Sequence, residues 1–167
     1  MIGCGSIAQE SHLPAIAKIP SLRLVAVADV DESRAQLAGQ KFGALHAYRD
    51  YTQLLGNKDV DAVDICTQTK YHADIAVAAA QSGRHVLCEK PIALTLEEAD
   101  RMIEACSRNK VKLMIAHSRR FIPRYRIVRQ TIREGRIGRP ICATQISRRH
   151  LVEVGSWYFD PKMTYGP

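Results

Sequence analysis

The sequence predicts a doubly wound α/β fold, a parallel sheet with helices on both faces, followed by the start of a second α/β domain with a mainly antiparallel sheet. Three observations predict it. Short apolar runs alternate with amphipathic stretches of ten or more residues up to about residue 116, and parallel strands need long crossovers that become helices. A glycine-rich turn stands directly after the first apolar residues. Past residue 117 the rhythm changes to one basic amphipathic stretch and then a run of alternating apolar and polar residues.

The apolar runs at 22–28, 45–47, 60–66, 85–88 and 111–116 read as buried strands, each bounded by Gly, Pro or charged turn residues. The first strand is reduced to Met1 and Ile2. Between the strands, 31–42 reads as a helix ending at Gly43, and 73–82 as a helix ending at Gly83. The helix at 95–109 opens with Thr95 and Glu98 in capping-box spacing, where the two side chains satisfy each other's orphan backbone N–H groups. Ala99, Met102, Ile103 and Cys106 fall at i, i+3, i+4 and i+7 and predict one buried stripe. In 121–133, Phe121, Tyr125, Val128 and Ile132 take one side of a further helix, with Arg120, Arg124, Arg126, Arg129 and Arg133 elsewhere. The alternation at 140–150 suits a half-exposed strand of an antiparallel sheet. The expected domains are therefore 1–117 and 118–167, the second incomplete.

Composition excludes several classes. With 46% apolar and 25% charged residues, the 167-residue chain sits at the globular average, which rules out a disordered or low-complexity scaffold. The longest aliphatic run, 75–80, is too short to span a bilayer. A charged start followed by an apolar stretch is missing at the N-terminus, so a cytoplasmic location is expected. Cys4, Cys66, Cys88, Cys106 and Cys142 are odd in number and widely spaced, and read as small buried residues without a disulfide or zinc framework. His12, His46, His85, His117 and His150 have no ligand spacing, and no metal is expected.

The net charge of +7 is unevenly spread. Residues 1–107 hold 10 Lys/Arg against 14 Asp/Glu, net −4, whereas 108–167 hold 14 against 3, net +11. Few aromatics interleave the arginines and no recognition element accompanies them, so a solvated helix face is expected and a nucleic-acid partner is not.

Gly3-Cys4-Gly5-Ser6-Ile7-Ala8 matches G-x-G-x-x-G/A, the turn that hands a strand to a helix whose first N–H groups face a pyrophosphate. Gly3 suits the tight turn, and Gly5 lets phosphates approach the backbone. Asp29 follows about 20 residues later at the end of an apolar strand, where dinucleotide-binding folds place an acid on the adenosine ribose. The same carboxylate would repel a 2′-phosphate, so NAD is expected over NADP, with Arg34 the nearby residue that tells against it. Ligands of such sheets sit outside the carboxyl ends of the strands. That rim also receives Cys66-Thr67-Gln68 and Glu89-Lys90-Pro91. Proline after a buried strand can fix an unusual turn or a cis bond, and Lys90 would then face the cleft, placed to hydrogen-bond an alcohol or carbonyl oxygen.

Taken together, the Gly3 to Ala8 turn, His12-Leu13-Pro14, Ala26-Val27-Ala28-Asp29, Cys66-Thr67, the segment from Gly83 to Pro91 ending Glu89-Lys90-Pro91, Arg120-Phe121-x-Pro123 and Gly135-Arg136-Ile137-Gly138 closely resemble the glucose-fructose oxidoreductase / inositol dehydrogenase / MocA family. The resemblance implies an NAD(P)-binding Rossmann domain, followed by a C-terminal domain, in an oxidoreductase that transfers a hydride to or from a hydroxyl carbon of a sugar, inositol or related polyol. It also implies that Ser6 and Ile7 offer N–H groups to the pyrophosphate, that Asp29 holds the adenosine ribose, and that Thr67, His72 and Glu89 line the nicotinamide side. Lys90 is implied as the lysine near the reacting oxygen, and a homo-oligomer is expected. Gln68 and Thr69 stand where the family often has Pro and Asn. The chain stops at Pro167, where the family usually continues to a glycine-rich turn and then an Asp and a His of the catalytic site. Two expectations follow. These residues are a segment of a longer polypeptide, inactive and marginally stable alone; and the alternative to the oxidoreductase is an NAD(H)-binding module or sensor without turnover, because the second catalytic group is absent. Trp157 and Tyr158 are candidate walls of the substrate cleft.

Overall fold

The structure, a computed structural model, describes residues 1–146 and 162–163. Among these residues five strands, β1 (Ala26–Ala28), β2 (His46–Tyr48), β3 (Ala62–Ile65), β4 (His85–Cys88) and β5 (Leu113–Ile115), pair in parallel as β1–β2 and β3–β4–β5. Met1 and Ile2 join the two sets. Ile2 bridges Ala28 on one side and Ile65 on the other. Its N–H donates to Asp64 O at 2.8 Å and its carbonyl accepts from Cys66 N–H at 2.7 Å, while the Ala28 N–H reaches Met1 O at 2.9 Å. The spatial order is therefore β2, β1, Met1–Ile2, β3, β4, β5, with the shortest segment at the centre.

Helices cover both faces because successive side chains on each strand point to opposite sides. Ala26 and Ala28 belong to one apolar cluster with Leu54, Ala76, Ala79 and Met102, whereas Val27 belongs to the other with Leu13, Ala35 and Ala38. The first cluster is closed by α3 (Tyr51–Gly56), α4 (His72–Gln81) and α5 (Leu96–Arg108), and the second by α1 (Leu13–Ala17) and α2 (Glu32–Phe42). Local chemistry sets the helix ends. Asp31 caps α2 by accepting the Arg34 N–H at 3.2 Å, and Gly43 ends it at φ 74°. Both halves of the Thr95–Glu98 capping box are formed at the start of α5.

Several expectations shift. The run at 22–28 yields a strand only from Ala26, because Ala26 is the residue whose carbonyl meets the Met1 nitrogen, at 2.9 Å. The buried face of α5 is Ala99, Met102, Ala105 and Cys106, and Ile103 is 52% exposed. At about 100° per residue, Cys106, Met102 and Ala105 lie on one side of Ala99 and Ile103 on the other, so the sheet-facing sector turns away from Ile103. Helix α3 was not expected; it starts at an Asp50 cap accepting the Thr52 N–H at 2.8 Å. Cys4, Cys66, Cys88 and Cys106 are buried and unpaired, whereas Cys142 is exposed.

A second compact unit begins at His117. It opens with a 3₁₀ turn, Ser118–Phe121, and continues into α6 (Pro123–Arg133), none of whose residues is buried. Arg119 and Arg124 place their guanidinium groups 6.0 and 5.1 Å from the Tyr125 ring. Of the strand expected at 140–150, residues 140–146 form none, and the rest lies outside the described residues, as do His150, Trp157 and Tyr158. Among the described residues, no helix is long and apolar enough to cross a membrane.

Candidate cofactor and active site

The sequence-predicted site residues of the first unit gather at the carboxyl ends of Met1–Ile2, β1, β3 and β4. Gly3 takes φ +86°, a backbone conformation that suits glycine, and donates its N–H to Ala28 O at 2.8 Å. A Cβ there would lie 2.8 Å from the Cys66 carbonyl carbon and oxygen and 2.9 Å from the Thr67 nitrogen. Gly3 is thus wedged against the chain leaving β3. Gly5 differs, since a Cβ on it would meet no atom within 4 Å. Helical backbone starts at Ser6, and Ser6 and Ile7 are exposed. Their N–H groups are among those of a first turn that have no intrahelical acceptor. The helix passes through a π-helical segment, Ala8–His12, before α1.

Asp29 is 8% exposed and ties β1 to the glycine turn. Its Oδ2 accepts the Cys4 N–H at 2.8 Å, its Oδ1 accepts the Asp31 N–H at 2.9 Å, and Arg34 Nη1 stands 3.5 Å from Oδ1. A carboxylate offers about four lone-pair positions, so the two backbone donors leave Asp29 able to accept from ribose hydroxyls. Burial, reinforced by the Asp29 charge, pushes the adjacent Cys4 thiol up to about 12 and keeps it neutral.

On the opposite side of the rim, Thr67 is half-buried, its hydroxyl 3.3 Å from Gln68 O. His72 is only 1% exposed, with Nδ1 2.9 Å from Pro91 O and Nε2 3.1 Å from Thr67 O. Each ring nitrogen lies within hydrogen-bond distance of a backbone carbonyl, one from the loop after β3 and one from the loop after β4, so His72 braces the two loops and presents no polar atom outward. The Lys90–Pro91 bond is cis, and Lys90 is exposed. Glu89 is largely covered: Oε2 accepts the Lys90 N–H at 2.9 Å, and Oε1 is 2.9 Å from His12 Nε2. Burial raises the Glu89 carboxyl, but the His12 and Lys90 contacts outweigh it and hold it below the usual glutamate value.

His12 and Asp64 are the site residues that sequence reasoning missed. His12 Nδ1 lies 2.8 Å from Asp64 Oδ2, so the ring sits between two carboxylates. Hydrogen bonds to Asp64, Cys66 and Glu89 drive its pKa up to about 12 against the opposing effect of burial. The signal that could have found the pair was Asp64 itself, a charge inside an apolar strand run, which demands a partner. His12, Asp64 and Cys66 also bring three metal-ligating atoms within 4.8 Å. The His12–Asp64 contact is nevertheless a direct hydrogen bond, and the other ring nitrogen is bonded to Glu89. That spacing is of donor to acceptor, not of two ligands held apart by an ion.

The rim suits a dinucleotide: an open space at Gly5, the first turn of a helix directly after it, and an acid at the end of the next strand. The comparisons agree. Residues 1–117 match the model of an oxidoreductase family with an NAD-binding Rossmann fold. The chain is 39% identical over 156 residues to a D-apiose dehydrogenase of Paraburkholderia graminis, covering 93% of this chain and 41% of the relative. It is 35% identical over 140 residues to a myo-inositol 2-dehydrogenase of Thermotoga maritima, covering 84% and 42%. It superposes with a TM-score of 0.77 and 32% identity on the WlbA dehydrogenase of Bordetella pertussis, solved with NADH and UDP-GlcNAcA, over 83% of this chain and 42% of that one. The chain thus spans about two-fifths of the length of the proteins it matches. With the glycine turn, Asp29 and the Glu89-Lys90-Pro91 turn in place on one rim, this chain belongs to the glucose-fructose oxidoreductase / inositol dehydrogenase / MocA family of oxidoreductases.

Proposed function

We propose that this chain is the nicotinamide-dinucleotide-binding part of an oxidoreductase that acts on a hydroxyl carbon of a sugar, inositol or related polyol. The observation that carries the reading is the contrast between the two glycines. Gly3 is closed off by backbone, while Gly5 opens onto space beside the first-turn N–H groups of Ser6 and Ile7. Such a space accepts a pyrophosphate, whose charge is favoured at a helix N-terminus. The cofactor, when bound, takes up or supplies the hydride.

The chain's own residues bind and orient. Asp29 accepts hydrogen bonds from the adenosine ribose and disfavours a 2′-phosphate, so the cofactor is NAD. Thr67 and Glu89 border the nicotinamide side, with His72 bracing the two loops from behind. Lys90 Nζ donates a hydrogen bond to the oxygen of the reacting C–OH or C=O, stabilising the charge that develops there. Relatives named for D-apiose and myo-inositol support the substrate class. The domain division at residue 117, a cytoplasmic location and a homo-oligomer belong to the same proposal.

The test has two parts. NADH is titrated into the chain and into its Gly5→Val variant, where saturable binding lost in the variant is expected. A panel of sugars and inositols is then screened for NAD reduction by the natural polypeptide that contains this chain. Binding without turnover on any polyol would turn the reading toward a dinucleotide sensor, and absence of binding would refute it.

A further inference from the structure

We propose that His12 is a positioning residue for the Lys90 turn: its ring, seated between Asp64 of β3 and Glu89 beyond β4, locks the Glu89 carboxylate in the orientation that holds the Lys90 backbone N–H. The inference rests on the role proposed above for Lys90.

The sheet register brings the two carboxylates together. Asp64 pairs with Leu87, and Glu89 lies two residues beyond Leu87, on the same face of the sheet. Both therefore point toward the side covered by the helix that follows the glycine turn. His12 comes down from that helix at the end of its π-helical segment, a feature frequent at functional sites. An imidazole carries its nitrogens on opposite sides of a rigid ring. Here Nδ1 meets Asp64 Oδ2 at 2.8 Å and Nε2 meets Glu89 Oε1 at 2.9 Å. The second Glu89 oxygen is thereby turned to the Lys90 N–H, also at 2.9 Å. One ring connects the glycine-turn helix, the third strand and the proposed catalytic lysine.

Charge explains why the residue is histidine. A neutral imidazole has one N–H and would set its other nitrogen's lone pair against a carboxylate, whereas an imidazolium donates to both. Two carboxylates left without a cation in a half-buried pocket would repel each other. The groups facing the ring are Asp64 and the Cys66 thiol from β3 and its end and Glu89 from the β4 end, with Lys90 acting at longer range on Glu89 and the Met1 nitrogen, whose pKa burial lowers, at longer range from Asp64. The upward displacement of the His12 pKa agrees with a ring that stays charged at neutral pH. A glutamine here would keep the size but donate to only one acid.

The test uses the natural polypeptide that contains this chain, with selectively ¹⁵N-labelled histidine and backbone amide exchange as readouts that need no turnover. Both His12 nitrogens are expected to remain protonated at pH 8.5. The Lys90 amide is expected to exchange about 10-fold faster in His12→Gln and in Glu89→Gln, the conservative second variant that keeps the pocket's volume. For turnover, His12→Gln is expected to lower kcat by about 10-fold or more, the scale of a slightly misplaced group, with the KM for NAD nearly unchanged. It should also introduce a pH dependence near neutrality that the wild type lacks. A neutral His12 ring at pH 8.5, or unchanged Lys90 exchange in both variants, overturns the proposal. If wild-type protein binds no NADH, the functional reading fails on its own, while ring charge and Lys90 exchange still decide this one.

Discussion

Substituting alanine at each of the two turn glycines separates architecture from binding. At Gly3 two penalties combine. The backbone sits at φ +86°, where an L-residue costs about 1–2 kcal/mol. The new Cβ would also stand 2.8 to 2.9 Å from three backbone atoms of Cys66 and Thr67, which belong to the exit of a buried strand and cannot swing aside. Forcing an extra carbon into a packed site costs about 1–3 kcal/mol more, so Gly3→Ala should destabilise by about 2–5 kcal/mol. Native domains are stable by only about 5–15 kcal/mol, and urea unfolding at pH 7 would show a much lower midpoint. Gly5→Ala carries neither penalty. Its φ is ordinary and its Cβ would enter open space, so stability should change by less than about 0.5 kcal/mol. That same space is where a pyrophosphate is proposed to lie, and NADH affinity should fall about 10-fold, the equivalent of 1.4 kcal/mol. Equal stability losses in the two variants, or a Gly5→Ala protein that binds NADH normally, would contradict this division of roles between the two glycines.

Three further outcomes are expected. Asp29→Ala should narrow or reverse a preference for NAD over NADP, and should also loosen the glycine turn because the Cys4 and Asp31 N–H groups lose their acceptor; an unchanged ratio in paired titrations would remove Asp29 from cofactor choice. Lys90→Ala in the natural polypeptide should reduce kcat by about 10²-fold with little effect on NADH affinity, and near-normal turnover would exclude the lysine from the chemistry. The His12 pKa lies above its unfolded value of 6.5, at about 12, so its stabilisation is complete below about pH 6.5 and declines as pH rises toward 12, by up to about 1.4 kcal/mol per pH unit. The urea-midpoint deficit of His12→Gln should accordingly shrink between about pH 8 and 9, above the near-neutral range in which the unpaired Asp64 and Glu89 of the variant titrate. The effects of the buried Cys4 and Cys88 thiols, both raised by burial, are common to the two proteins and cancel. A deficit that grows over that range would contradict the imidazolium.

Helix ends were the most legible part of the fold because they are written in adjacent residues. The Thr95–Glu98 box and Gly43 act within one turn of the helices they delimit, and the structure has both where the spacing puts them. Strand limits were less legible. An apolar run reports burial, whereas a strand needs a partner, so the run at 22–28 becomes a strand only where Met1 begins to pair with it. The exposure of Ile103 has a similar cause: helical spacing identifies a sector of apolar residues, and the neighbouring surfaces choose which part of it is covered.

The site divides along the same line. Gly3, Gly5 and Asp29 are legible because one turn and one strand bring them together, and because glycine and a strand-end acid are the residue types that the geometry requires. His72 is placed at the site by the family resemblance alone, and its part in it depends on two carbonyls, those of Thr67 and Pro91, which only the folded sheet brings to its two nitrogens. The separation is greater still for His12, which lies 52 residues before Asp64 and 77 before Glu89. A single histidine and an acid in an apolar run are each unremarkable in sequence. In the folded chain they become a half-buried cation between two anions, and such groups persist only when each charge is paired. The unexplained Asp64 in the β3 run was therefore the more informative of the two. A charged residue on a strand that must be buried implies a counter-charge from another element, and here that element is the helix that begins at the cofactor turn.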